Sequence, residues 1–154
     1  MFSIILYEPE IPPNTGNIIR LCANTGTNLH LIEPLGFELD ESRLKRAGLD
    51  YREFADVSVH TDLQTCLAVL DHPRVFALST RATTNYSSAP FEPGDAFLFG
   101  PETRGLPQTL LESLPYNQRL RLPMQPDSRS LNLSNAAAIV VYEAWRQQNH
   151  AGGT

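Results

Sequence analysis

Lysine is nearly missing from this chain. Of its twelve basic residues eleven are arginines, and Lys45 is the one lysine. Together with a net charge of −5, this argues against broad, non-specific attraction to nucleic acid, which wants an overall basic face. Arginine favours bidentate recognition of phosphate and carboxylate, so a focused RNA or phosphate site remains open. Cysteine is also scarce. Cys22 and Cys66 stand apart, with no CxxC pair and no His-Cys cluster along the sequence. Both read as buried thiols of a reducing compartment, and no metal site is expected. No apolar run approaches membrane-spanning length. The opening run Phe2–Tyr7 is short, lacks a basic flank and meets Glu8-Pro9, so it does not read as a signal peptide and the expected location is the cytoplasm. A GxGxxG fingerprint and a GxxxxGKS/T loop are both lacking, which disfavours a dinucleotide site and a P-loop kinase. A GxSxG elbow and a Ser-His-Asp set are missing as well. Three of the four histidines (His30, His60 and His72) sit in or beside strand and helix edges, and His150 lies near the end of the chain. All four read as structural or solvated.

What the chain does contain is an alternation of strands and helices. Apolar runs at Phe2–Leu6, Leu29–Ile32, Arg74–Ser79, Ala96–Gly100 and Arg119–Leu122 predict strands of a parallel sheet covered on both faces. Helices are predicted at Asn14–Thr25, closed by Gly26, at Thr61–Leu70 from a Thr61/Gln64 capping box, at Pro107–Leu114, and at Ser134–Gln148 with Asn132 or Ser134 as N-cap. The class is therefore α/β with a mostly parallel sheet. Its 154 residues and the lack of repeats or linkers lead us to expect one domain over residues 1–154. Ligands of such sheets sit beyond the carboxyl ends of strands, here the loops after Leu6, Leu78, Gly100 and Leu122.

Three blocks hold the polar residues that such a fold does not need for its core. Asn14-Thr-Gly-Asn-Ile-Ile-Arg20 follows the first strand through Pro12-Pro13. Asn14, Thr15 and Asn17 read equally as partners for orphan helix N–H groups. Arg20 lies three residues beyond Asn17 among apolar neighbours, where an unpaired charge is costly, so a phosphate or substrate oxygen suits it. Phe99-Gly-Pro-Glu-Thr-Arg-Gly-Leu-Pro107 ends a strand at a glycine that permits close backbone approach. Its Glu102 and Arg104 read either as a local ion pair or as ligand contacts. Asp127-Ser-Arg-Ser-Leu-Asn-Leu-Ser134 brings hydroxyls and amides to a helix N-terminus, a place suited to anions and lone pairs. Behind it Ala136–Ala138 allows another helix to approach. Val140, Val141, Ala144 and Trp145 give an apolar face wide enough to predict a homodimer helix.

In that order and spacing the three blocks resemble motifs one, two and three of the SPOUT class of RNA methyltransferases, and the resemblance spans essentially the whole chain. Within the class it is most similar to the minimal TrmL-like group, which methylates the wobble-nucleotide 2′-hydroxyl of tRNA. The resemblance implies an α/β fold with a deep C-terminal trefoil knot, a topology that periodicity cannot reveal. It implies S-adenosylmethionine held mainly by backbone groups at Leu78, Gly100, Leu122 and Ser130, with Thr80, Glu102, Met124 and Leu131 beside them. Arg20, Asn17, Ser128 and Asn132 are implied to face the substrate ribose, and Arg129, Tyr142 and Arg146 to touch tRNA or the dimer interface. That interface is expected to join the C-terminal helix and the Asn14–Thr25 helix, with each cofactor near the partner subunit. The implied substrates are the wobble cytidine or carboxymethylaminomethyluridine of leucine tRNAs.

These residue types match the chemistry. Methyl transfer is an in-line displacement at a sulfonium, so the protein's main task is positioning. A ribose hydroxyl develops negative charge as it attacks, and Arg20 can stabilise it. A guanidinium hardly ever deprotonates, which leaves a substrate phosphate or an asparagine-oriented water as proton acceptor. Two rival readings remain: a SPOUT enzyme that methylates ribosomal RNA, and a non-catalytic nucleotide-binding α/β module.

Overall fold

A computed structural model describes residues 1–50, 52–53 and 56–154. Seven parallel strands form one sheet: β1 (Ser3–Tyr7), β2 (Asn28–Ile32), β3 (Val57–His60), β4 (Val75–Leu78), β5 (Thr84–Asn85), β6 (Ala96–Phe99) and β7 (Arg119–Arg121). Their spatial order is β3-β2-β1-β6-β4-β7-β5. The helices are α1 (Pro12–Thr25), α2 (Glu41–Arg46), α3 (Leu63–Val69), α4 (Gln108–Glu112) and α5 (Leu133–Gln147). The five predicted strands are all present. β3 and β5 are additions; one is a half-exposed edge strand and the other has two residues, so neither carries an apolar run. α2 is a further addition. It buries no residue, which leaves no hydrophobic period to detect.

Both faces of the sheet are covered. Ile4, Leu6, Leu29, Leu31, Phe76 and Phe97 pack under α1 and α5, which contribute Ile18, Ile19, Cys22, Ala137, Val140, Val141 and Ala144. On the other face Ile5, Ile32, Ala77 and Leu98 meet Cys66 of α3 and Leu111 of α4. The alanine run of α5 therefore serves α1 of the same chain, and Val140, Val141 and Ala144 are completely buried within it. The apolar face left over on α5 is narrower than its sequence predicts, namely Ile139 and Tyr142, with Leu131 just ahead of the helix.

Helix ends follow local chemistry with one correction. Asp62 rather than Thr61 caps α3, its carboxylate accepting from the Thr65 N–H at 2.7 Å. Gly26 closes α1 in the left-handed region at φ 68°, as predicted. The N-terminus of α1 is unusual. Its N-cap is Ile11, which has no side-chain acceptor, and the first two helical positions are prolines without N–H groups. Something else has to satisfy that end of the helix.

Candidate active site

The loops that follow β4, β6 and β7 meet beyond the carboxyl ends of those strands, next to β1 where the strand order reverses. There they enclose a cavity of about 490 Å³, within the usual range for a small-ligand site. All eight residues predicted to lie around a cofactor line it: Leu78, Thr80, Gly100, Glu102, Leu122, Met124, Ser130 and Leu131. Asn132 lines it too, as does Asn14 from the start of α1.

Side chains fasten these loops to one another. Arg81 donates to the Leu106 carbonyl and to Gln108 Oε1, tying the β4 loop to the β6 loop. Arg121 of β7 donates to the Thr80 carbonyl. At Gly100 the chains touch directly, for a Cβ there would lie 2.3 Å from the Leu106 nitrogen and 2.5 Å from the Gly105 carbonyl carbon. Only a glycine fits that approach.

Glu102 supplies what α1 lacks. Its carboxylate accepts from the N–H groups of Glu10 and Ile11, both at 2.9 Å, and from Asn14 Nδ2 at 3.2 Å. A negative group at a helix N-terminus is favoured both by the orphan donors and by the helix dipole. The clasp is reciprocal, since Glu10 accepts from the Thr103 N–H at 2.9 Å and from its hydroxyl at 2.8 Å. Those two bonds hold the Glu10 carboxyl below the usual range. Arg104 reaches Glu8 at 3.3 Å and Glu10 at 3.9 Å, so the local Glu102–Arg104 pair does not form. From Asn14 the network continues, Asn132 Nδ2 donating to Asn14 Oδ1 at 2.9 Å. Asn132 Oδ1 in turn accepts from the N–H groups of Ser134 and Asn135 and caps α5. One hydrogen-bonded chain thus runs from the β6 loop through α1 to the start of α5.

Asn14, which by sequence reads equally as a helix-start residue, belongs to the site. It is 6% exposed and shares the buried stripe of α1 with Ile18 and Cys22. A polar side chain on an apolar stripe was the available signal.

The remaining predicted residues lie elsewhere in this chain. Six residues at 100° each carry Arg20 about 9 Å along α1 and about 120° around it from Asn14. There Arg20 and Asn17 border a second groove of about 420 Å³ against the 37–49 segment. Arg20 is not unpaired among apolar groups. Its side chain is 48% exposed, and it pairs with Glu53 and with the Gly48 carbonyl. Ser128 and Arg129 stand exposed on the turn after β7, and Tyr142 and Arg146 are exposed on α5. Arg146 forms a two-bond pair with Glu143 at 2.8 and 2.9 Å. Arg43, Lys45 and Arg46 add an exposed basic strip along α2 that no motif had marked.

Residues 1–142 match the SpoU rRNA methylase family. A tRNA (cytidine(34)-2′-O)-methyltransferase from Aeromonas hydrophila is 61% identical, the alignment covering 99% of this chain and 97% of that protein. A solved structure described as giving insight into 2-OH methylation of C/U34 on tRNA superposes with a TM-score of 0.88 at 46% identity, over 97% of both chains. An AdoMet-bound rRNA methyltransferase from Sinorhizobium meliloti shares the fold alone, with a TM-score of 0.80 at 23% identity over 94% of this chain and 56% of that one.

Proposed function

Starting from the fact that this chain belongs to the SpoU rRNA methylase family, we propose that it is a methyltransferase acting on the ribose 2′-hydroxyl of tRNA nucleotide 34. The substrate is the wobble cytidine or uridine, with leucine isoacceptors as the preferred tRNAs, and the donor is S-adenosylmethionine. The observation that carries this reading is the single cavity lined by Leu78, Gly100, Leu122 and Ser130 from three separate strand-end loops. Relatives named for cytidine-34 methylation, matched over nearly their full length, support the substrate.

The cavity suits the donor on its own chemistry. Leu78, Leu122, Met124 and Leu131 give apolar walls for a flat base, while the turns at 79–81, 100–106 and 130–132 provide peptide groups. Once bound, S-adenosylmethionine supplies an electrophilic methyl group on a sulfonium. The rest of the work falls to this chain. Glu102, Asn14 and Asn132 hold the β6 loop, α1 and the segment ahead of α5 in register, and Arg81 and Arg121 tie in the β4 loop, so the donor and hydroxyl meet without further ordering. Arg20 stabilises the negative charge that grows on the 2′-oxygen, and Asn17 and Ser128 orient the ribose. The hydroxyl proton leaves to a substrate phosphate or to a water held by asparagine, and no step calls on a metal.

Arg20 and the cavity are brought together by a second copy. The exposed remainder of α5, Ile139 and Tyr142, together with the outer face of α1, forms the homodimer interface, so that one subunit's Arg20 serves its partner's cavity. Arg129 and Arg146, with the α2 strip, then face tRNA phosphates and give an acidic chain a local basic surface. The segment after β7 follows the course of a trefoil knot. In support, β7 inserts between β4 and β5, and residues 122–132 return to the loops at 79–81 and 100–106. The enzyme works in the cytoplasm.

Labelled methyl transfer to undermethylated tRNA, followed by nuclease mapping, tests the assignment. Label on the 2′-oxygen of nucleotide 34 is the expected result. Label in ribosomal RNA alone would keep the chemistry and reject the substrate, and donor binding without any transfer would reject the enzyme.

A further inference from the structure

At the opposite edge of the sheet is a group of side chains that methyl transfer does not use. The register of β2 on β3 pairs His30 with Ser58 and Ile32 with His60, so the two histidines are diagonal neighbours on one face. Their rings stack with centroids 5.2 Å apart, and His30 Nδ1 lies 2.9 Å from His60 Nε2. Cys66 of α3 closes over them. One ligand atom from each of the three residues lies within 4.8 Å of the other two. All are buried, with exposures of 6%, 8% and 0% for His30, His60 and Cys66. The second nitrogen of His30, Nε2, has no hydrogen-bond partner among the described residues. Interior polar atoms are nearly always bonded, and Ile5 and Ile32, which share this sheet face with His30, are apolar.

We propose that His30, His60 and Cys66 form a binding site for a thiophilic d10 cation, Zn2+ or Cu+. The donor set of two imidazoles and one sulfur is the kind both ions prefer, whereas Mg2+ and Ca2+ require oxygen ligands. Metal–nitrogen bonds of about 2.0–2.1 Å and metal–sulfur bonds of about 2.3 Å place such ligands roughly 3.3–3.8 Å apart. To reach that spacing the His30 Nδ1–His60 Nε2 pair, 2.9 Å apart, opens slightly, while any pair near the 4.8 Å limit closes by roughly an ångström, changes that side-chain torsions absorb. On binding, the Cys66 S–H bond breaks, its proton leaves to solvent and the thiolate forms the metal bond. β3 is the terminal strand of the sheet, so the site lies beside the sheet edge, where an ion can enter. The site cross-links β2, β3 and α3. It lies apart from the cavity-lining residues, so its effect is on stability rather than on methyl transfer.

The test uses the full chain after chelator treatment, titrated separately with Zn2+ and, under reducing anaerobic conditions, with Cu+, each against a competing chromophoric chelator. Co2+ serves as a spectroscopic probe. The expected result is saturable uptake of a single equivalent, a rise in Tm with bound metal, and a thiolate-to-Co2+ charge-transfer band in the near ultraviolet. Cys66→Ser, almost the same size as cysteine, should fold with an unchanged circular-dichroism spectrum and lose both the band and the tight uptake. His60→Ala should lose the uptake as well. The lack of saturable uptake or of a thiolate band in the wild-type chain would overturn the proposal whatever the variants do, and so would undiminished uptake in Cys66→Ser. Donor binding and methyl transfer are read independently, so failure here leaves the enzymatic reading untouched.

Discussion

The strand-end cavity and the outer face of α1 lie on the same few turns of chain, yet they are finished to different degrees. Around the cavity Asn14, Arg81, Glu102, Thr103, Arg104 and Asn132 each have a partner far away in sequence. Glu102 satisfies the start of α1 from 91 residues away, and Asn132 reaches Asn14 across 118. On the outer face of α1, Asn17 is exposed and Arg20 is held only at the rim, by Glu53 and the Gly48 carbonyl. One chain therefore encloses the strand-end cavity, while its own Arg20 stays outside that cavity. On the proposed reading, the difference assigns donor binding to one chain and methyl transfer to two.

Breaking each half separately should give different signatures. Arg20→Ala should lower kcat about 10²–10³-fold, the scale of a lost transition-state charge partner, while calorimetry finds donor affinity unchanged. A parallel loss of donor affinity would place Arg20 in the cavity of its own chain. Gly100→Ala forces the β6 loop away from Leu106, and a misplacement of that order costs about 10²-fold in transfer. Here donor affinity should collapse together with the rate. Asn132→Ala removes the α5 cap and the bond to Asn14. About 1 kcal/mol of stability should go, as for other lost caps, visible as a lower midpoint in urea. Arg146→Ala touches neither half directly. It should weaken tRNA affinity by a few-fold and flatten its salt dependence by about one phosphate contact, since exposed charges contribute little each.

The smallest effect concerns acid. Thr103 holds the Glu10 carboxyl below its ordinary 4.5, so the clasp adds stability above that value and loses it as pH falls through the lowered pKa. Glu10→Gln should remove that part of the acid sensitivity, measured as Tm between pH 5 and 3. By contrast the thiol of Cys22, pushed up to about 12 by burial, should resist alkylation at pH 8 until the chain unfolds.

Legibility in the sequence follows the same division. The strand-end turns could be read because glycine, proline and serine there report backbone geometry locally, and all eight residues that the family resemblance implies around the cofactor line one cavity. Partners distant in sequence could not be read. Glu102 and Arg104 read either as a local ion pair or as ligand contacts, and their bonds to residues 8–14 are not legible from the sequence. Asn14 resembled a spare helix-start residue beside Asn17, and only packing shows that it faces inward. The width of the α5 apolar face was overestimated because α1 of the same chain covers most of it. His30, His60 and Cys66 have no short spacing, and only the register of β2 on β3 and the packing of α3 bring them together.

The division of labour between the two regions is tested most directly by a tagged heterodimer. Arg20→Ala and Gly100→Ala chains, each inactive alone, are co-expressed with different tags and purified through both. If one subunit's Arg20 serves its partner's cavity, each heterodimer keeps one whole site of two and should transfer methyl at about half the wild-type rate per dimer. A heterodimer as inactive as its parents, or a chain that yields no doubly tagged species, would contradict the account.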